Sequence, residues 1–127
     1  KNSEDAYASA ANYLKKIGWK KNQPCFYKID LKKQIPKKYL NSSARNIKNK
    51  KKITFFKKYI DNFEQLNIEK NYKVAIIIPD KDIIPGSETY SPAYLIFENY
   101  EKILNWNRSL RFAIAVCTLK DKFKNEI

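Results

Sequence analysis

Asp5-Ala6-Tyr7-Ala8-Ser9-Ala10-Ala11-Asn12-Tyr13-Leu14-Lys15-Lys16-Ile17-Gly18-Trp19 is the stretch that sets the fold class, because it reads as a whole helix with its own stop signal. Ala6, Ala10, Tyr13, Leu14 and Ile17 recur at i, i+4, i+7, i+8 and i+11, which puts one continuous apolar stripe against a core. Ser3 is placed to cap the first turn. Glu4 and Asp5 suit the positive end of the helix dipole, and Lys15 and Lys16 suit the negative end. Gly18 can take the left-handed conformation just past the last turn, with Trp19 packing or stacking beyond it.

The far end of the chain is helical as well. Ser109 to Phe123 places Phe112, Val116, Leu119 and Phe123 along one face, while Ala113 and Ala115 permit close helix contact. A shorter helix is predicted from Glu98 to Leu104, with a polar break at Asn105-Trp106-Asn107. Between the two ends the pattern changes. Pro24 to Leu31 alternates as a half-buried or exposed strand, and Val74-Ala75-Ile76-Ile77-Ile78 is an apolar run inside a Tyr72 to Pro79 strand. Ala93 to Phe97 supplies a third strand after a turn-rich stretch, and the three can form a small antiparallel sheet. Phe56, Tyr59, Ile60 and Phe63 have helical spacing behind Thr54, which predicts a helix from Phe55 to Leu66. A short helix around Tyr39 to Ile47 and then a basic loop fit the remaining segment. The fold class is α+β, in which the helical ends pack together and a strand-containing insert of roughly 75 residues projects. The expected division is a core helix at 1–19, an insert at 20–97 and C-terminal core helices at 98–127.

Composition narrows the function classes. At 127 residues with 43% hydrophobic and 14% aromatic content the chain supports a real core. Gly18 and Gly86 are the only glycines, which argues against a glycine-rich phosphate cradle. There is no histidine, and Cys25 and Cys117 stand 92 positions apart, so neither a zinc site of thiolates and imidazoles nor histidine catalysis is available within the chain. No metal or cofactor is expected. One disulfide and two buried free thiols are both compatible with that spacing. No run approaches the about 20 apolar residues of a membrane span. The start, Lys1-Asn2-Ser3-Glu4, is not a signal peptide and lacks Met, so the chain is expected to begin mid-protein or after processing. The net charge of +13 fits a polyanion partner, but only Arg45, Arg108 and Arg111 of the 26 basic residues are arginine. Arginine is the residue of bidentate phosphate and base readout, so a solvated lysine surface is the preferred explanation and no nucleic acid is expected.

Two blocks resemble a known family. Asp5 to Leu14 followed by Gly18-Trp19 is similar to a signature helix of the membrane-bound lytic murein transglycosylase B family. Pro92-Ala93-Tyr94-Leu95, Asn99-Tyr100, Asn105-Trp106-Asn107-Arg108-Ser109 and Phe112-Ala113-Ile114-Ala115-Val116 match its later part. The blocks cover about half of the chain, in the family's order, with a strand-rich insert between them. The resemblance implies the C-terminal part of a lysozyme-like helical core with a small antiparallel β-sheet insert.

It also implies a partner and a chemistry: peptidoglycan glycan strands, cleaved at the MurNAc to GlcNAc β-1,4 link without water to leave 1,6-anhydro-MurNAc in the periplasm. One carboxylic acid serves twice, protonating the leaving oxygen and then taking the proton of the sugar's 6-hydroxyl. In the family this glutamate sits in a Glu-Ser-x-x-Gly type motif upstream of the helix placed here at Asp5. No Glu-Ser pair occurs in the chain. No catalytic residue is therefore assigned, the chain alone is expected to be inactive, and a membrane anchor, where present, would lie outside it. The residues the resemblance carries over are substrate-facing: Trp106, Asn107, Ser109 and Phe112. The family usually has tyrosine where Trp106 and Phe112 stand, so stacking survives while a phenolic hydrogen bond is lost at Phe112. Asn107 and Ser109 also fit a plain helix-capping role, Phe112 a core role, and Tyr13 the core more than the groove. The competing readings are a basic binding module for nucleic acid or an anionic cell-wall polymer, and a transglycosylase-like scaffold without activity.

Overall fold

A computed structural model describes residues 9, 12–20, 23–44, 46–68, 70–79 and 92–123. Among the described residues, five strands form the centre: β1 Phe26–Ile29, β2 Leu40–Asn41, β3 Lys51–Lys52, β4 Lys73–Ile77 and β5 Ala93–Ile96. The α-helices among the described residues are α1, whose described turns include residues 12–16, α2 Ile53–Phe56, α3 Glu98–Trp106 and α4 Leu110–Phe123. The expected start of α1, with Ser3, Glu4, Asp5, Ala6 and Ala10, lies outside the described residues, as does all but the last residue of the predicted turn-rich Asp80 to Pro92 stretch.

The sheet runs β1-β5-β4-β2, with β3 also on β4. Its β1–β5, β4–β5 and β3–β4 pairs are antiparallel, as expected for the insert. The β2–β4 pair is parallel, matching Leu40 to Ile76 and Asn41 to Ile77. β2 and β3 thus share one edge of β4, each covering part of it.

β4 explains why the apolar run does not alternate with polar residues. Ala75 and Ile77 point into one core with Leu14, Ile96, Tyr100, Ile103, Leu104 and Ala113. Val74, Ile76 and Ile78 point into a second core with Ile53, Phe56, Ile60, Leu95 and Phe97. A strand buried on both faces needs apolar residues at every position. The sheet therefore does not project from a helical body: α1, α3 and α4 pack on one face, and α2 with the 3-10 turns packs on the other.

Local expectations divide in an instructive way. Gly18 has φ +93°, the Gly18 N–H donates to the Lys15 carbonyl at 3.3 Å and the Trp19 N–H to the Leu14 carbonyl at 2.9 Å. Those are the two hydrogen bonds of a Schellman stop. The predicted Phe55 to Leu66 helix is different. It is only the four-residue α2 followed by 3-10 turns at Lys57–Tyr59 and Phe63–Gln65. Ile60 is extended and bridges Leu31, while Lys32 N–H donates to the Tyr59 carbonyl and Asp61 N–H to the Asp30 carbonyl, each at 2.8 Å. Pairing with the 30–32 segment displaces the helix. The expected helix around Tyr39 to Ile47 is likewise one 3-10 turn, Lys37–Tyr39, leading into β2. There the buried Asn41 donates to the Ile76 carbonyl at 2.9 Å and accepts from Lys48 N–H at 2.9 Å, holding the loop in a non-helical path.

The predicted apolar face of α4 is rotated. Leu110, Ala113 and Cys117 are the buried residues, Phe112 and Val116 are half-buried, and Leu119 is exposed. Two ties set this rotation. The Tyr100 hydroxyl donates to the Leu110 carbonyl at 2.7 Å, and Cys117 is disulfide-bonded to Cys25 with Cα atoms 6.0 Å apart. The side chain of Phe123 lies outside the described residues.

Candidate functional site

The junction of α3 and α4 gathers the exposed aromatic surface. Trp106 closes α3, the helix ends there because Asn107 is extended at φ −141° and ψ 117°, and α4 starts at Leu110. The break therefore falls at Asn107 to Ser109 and leaves Trp106 inside the helix. Ser109 caps α4: its hydroxyl accepts the Phe112 N–H at 3.1 Å and its carbonyl accepts the Ala113 N–H at 3.1 Å. That cap is a structural duty of Ser109, which also fixes the direction of Phe112.

Trp106 sits between two rings. Tyr13 of α1 stacks on it with centroids 4.3 Å apart and planes at 30°, and Phe112 meets it edge-on at 5.3 Å and 84°. Tyr13 and Trp106 are each 38% exposed, so the stack is a surface feature and not core filling. Tyr13 was expected inside the core. Its position on α1 is one residue before the fully buried Leu14, which turns it to the helix's outer side. Asn107 is exposed beside the stack. An aromatic ladder with an accessible amide can cover the apolar face of a flat, hydroxyl-bearing ligand while donating to and accepting from its polar groups.

The residues that hold this surface in place are two that sequence reading treated only as part of a motif. Asn99 is completely buried. Its Oδ1 accepts the Lys20 N–H at 2.8 Å, and its Nδ2 donates to the Lys20 carbonyl at 2.9 Å and the Gln23 carbonyl at 3.3 Å. One amide thus fastens the chain leaving α1 to the first turn of α3. Tyr100, next to it, holds the start of α4 through Leu110. Burial, and secondarily the nearby Tyr94, push the Tyr100 hydroxyl above its ordinary value of 10.

A general acid for glycosidic chemistry needs a carboxyl whose pKa is raised. Glu98 of α3 does not meet that need. Glu98 accepts from Lys20 at 2.9 Å and pairs with Lys102 at 3.7 Å. The Lys20 hydrogen bond holds its carboxyl below the ordinary 4.5 against the opposing effect of burial, and the charges of Lys20 and Lys102 add to the lowering. Glu101 is paired with Lys50 at 2.9 Å. Among the described residues no group of three or more histidine, cysteine, aspartate or glutamate side chains is arranged to hold a metal ion. A concave region lined by Pro79, Tyr94, Arg111, Ile114 and Ala115 lies between α4 and the β4–β5 pair.

Comparison with known proteins adds an independent line. A family model described as a transglycosylase SLT domain matches residues 1–121. Among solved structures, SltB3 from Pseudomonas aeruginosa in complex with NAG-NAM-pentapeptide is similar with a TM-score of 0.65 and 27% identity, over 94% of this chain and 30% of that one. The same protein with NAG-anhNAM-pentapeptide is similar with a TM-score of 0.64 and 28% identity, again over 94% and 30%. The chain thus spans 30% of the length of these relatives. No curated protein matches it.

Proposed function

The chain belongs to the transglycosylase SLT domain family, and from that premise we propose that it forms one wall of the glycan groove of a peptidoglycan lytic transglycosylase in the bacterial cell envelope. The observation that carries this reading is the exposed Tyr13–Trp106 stack at the α3–α4 junction, backed by half-buried Phe112, with Asn107 beside it. Trp106 offers a face for a sugar ring, Asn107 an amide for acetamido or hydroxyl groups, and Phe112 buttresses the indole. Ser109 positions Phe112 and can still donate its hydroxyl proton to glycan. Tyr13 joins this set by its stack on Trp106.

In the reaction we infer for the whole protein, a carboxylic acid protonates the oxygen that links MurNAc to GlcNAc, and the C1–O bond breaks. The resulting carboxylate then takes the proton from the sugar's own 6-hydroxyl as that oxygen closes on C1, giving the 1,6-anhydro end. The ring formed that way needs water kept off C1, and an aromatic wall is suited to that. The SltB3 complexes hold NAG-NAM-pentapeptide and NAG-anhNAM-pentapeptide, which supports assigning these sugars as substrate and product class. The sequence holds no Glu-Ser pair of the family's motif, which supports an acid supplied by another segment of the whole protein, so the chain by itself is expected not to cleave. In this division of labour, residues 1–19 and 98–127 build the groove wall and residues 20–97 form the insert that buttresses it.

Digestion of purified sacculi tests the reading. The protein that carries this chain together with the acid-bearing segment is expected to release anhydro-muropeptides, identified by mass spectrometry, and the isolated chain is expected to release none. Reducing-end muropeptides from the former would mean hydrolysis and defeat the non-hydrolytic mechanism.

A further inference from the structure

Eleven of the 26 basic residues and none of the 13 acidic ones lie in residues 31–60. The rest of the chain is close to neutral, so the net charge of +13 is a local property and not a general one. This segment folds as a tip built from β2, β3, α2 and the 3-10 turns beside them. Its core residues Ile35, Tyr39, Ile53, Phe56 and Ile60 pack on the sheet face opposite α1, α3 and α4.

The charge at the tip is organised around aromatics. Lys38 Nζ lies 5.2 Å from the Tyr39 ring centre and Lys51 Nζ 5.5 Å from that of Phe55. Lys58 Nζ is 5.4 Å from the Phe55 centre and 5.1 Å from that of Tyr59. The rings themselves are contiguous, with Phe55 5.3 Å from Tyr39 and 6.4 Å from Tyr59, and Phe55 and Tyr59 are half-exposed. Lys32, Lys50 and Lys57 meet Asp61, Glu101 and Glu64. Among the described residues Lys38, Lys51, Lys52 and Lys58 have no carboxylate partner.

We propose that this tip is a peripheral docking surface for the phosphate headgroups of an anionic lipid bilayer. Gathering like charges on one small surface costs self-repulsion, which an opposing anionic surface removes. Ammonium groups are compact point charges suited to a plane of mobile phosphates, whereas reading a nucleic-acid strand favours arginine, of which the segment holds only Arg45. Half-exposed aromatic rings among lysine stems match the depth profile of a headgroup layer, apolar beside polar. Among the described residues no helix is long and apolar enough to cross a membrane, so the contact is peripheral. The Phe55 and Tyr59 rings lie with the core on the face away from α1, α3 and α4, while Ala44 and Ile47 of the same segment reach the core that those helices share.

Vesicle co-sedimentation of the full chain tests the proposal. Vesicles of phosphatidylcholine with about 30 mol% phosphatidylglycerol are expected to bind it, and pure phosphatidylcholine is not. Binding should fall steeply at about 0.5 M salt, where screening shortens to a few ångströms. The variant Lys38→Glu, Lys51→Glu, Lys58→Glu should lose about tenfold or more in affinity, and its glutamine counterpart a smaller part of that. A charge-matched control, Lys15→Glu, Lys16→Glu, Lys28→Glu, should lose less than about threefold. Circular dichroism confirms that each variant folds, and the glutamine set serves where the glutamate set does not. An equal loss in the control variant overturns the proposal, as does absence of binding to the anionic vesicles. Displacement from vesicles by polyphosphate or single-stranded DNA at matched charge would assign the tip to a polymer and overturn it also.

Discussion

Asn99 is the single side chain on which the candidate site depends most. With three hydrogen bonds and no exposure, its loss leaves the Lys20 and Gln23 backbone groups without partners in a part-buried setting. Asn99→Ala is expected to lower stability by about 2–4 kcal/mol, measured by chemical denaturation with an unchanged slope. A loss under about 0.5 kcal/mol would mean that water replaces the amide at no cost. Tyr100→Phe removes only the bond to Leu110 and should cost about 1–2 kcal/mol. Glu98 gives a pH test. Its folded carboxyl is more acidic than its unfolded one, so its contribution is present above the ordinary 4.5 and is lost as pH falls through the lowered folded value. Because the side chain is 47% exposed, that contribution is screened to below about 1 kcal/mol. Glu98→Gln should therefore be slightly less stable than the parent sequence at neutral pH, with the gap closing in acid; a gap that persists at low pH would assign the difference to packing. None of this was legible in sequence. Asn99 and Tyr100 were visible as a motif, but the partner of Asn99 is 79 positions away, and nothing local distinguishes a buried amide from a surface one.

Elements were legible where their signals are local. The stop of α1 needs only Gly18 and the residues around it, and it forms as read. Gly18→Ala forces a left-handed alanine and brings its Cβ to 3.3 Å from Lys102 Nζ. The expected loss is about 1 kcal/mol, seen as a lower thermal midpoint, since the lysine end can move aside. An unchanged midpoint would show that the stop is not set by this glycine. β4 and β5 were legible for the same reason, as apolar runs bounded by turns. The 53–66 segment was not, because its helical spacing competes with cross-chain pairing of Tyr59, Ile60 and Asp61 to residues 30–32, which no window along the chain contains. The rotation of α4 was missed similarly. Four apolar residues at helical spacing marked one face, while the Tyr100 hydrogen bond and the disulfide select another. That rotation leaves Phe112 beside Trp106 and not inside the core.

At the scale of the molecule, the Cys25–Cys117 disulfide joins the residue before β1 to the middle of α4. Both cysteines are buried in the core that α1, α3 and α4 share with the sheet. Closing 92 residues of chain restricts the unfolded ensemble, so reduction or Cys25→Ala, Cys117→Ala should cost about 2–5 kcal/mol. Equal stability of reduced and oxidised protein in denaturant would remove the bond as a determinant of the fold. Sequence alone allowed a disulfide or free thiols, because contact between the two depends on the whole packing. The arrangement that results has an aromatic ladder on the helix side of a doubly covered sheet and a lysine-rich segment, 31–60, along the sheet edge that β2 and β3 form, with contacts to both cores. The most direct test of the groove-wall reading is a titration of the isotope-labelled chain with a GlcNAc–MurNAc oligosaccharide, followed by NMR. The expected result is perturbation of the Trp106 indole N–H, the Asn107 side-chain amide and the Tyr13 ring, weakened about tenfold by Trp106→Ala in a protein that still folds. Shifts confined to residues 31–60, or binding unaffected by Trp106→Ala, would contradict it.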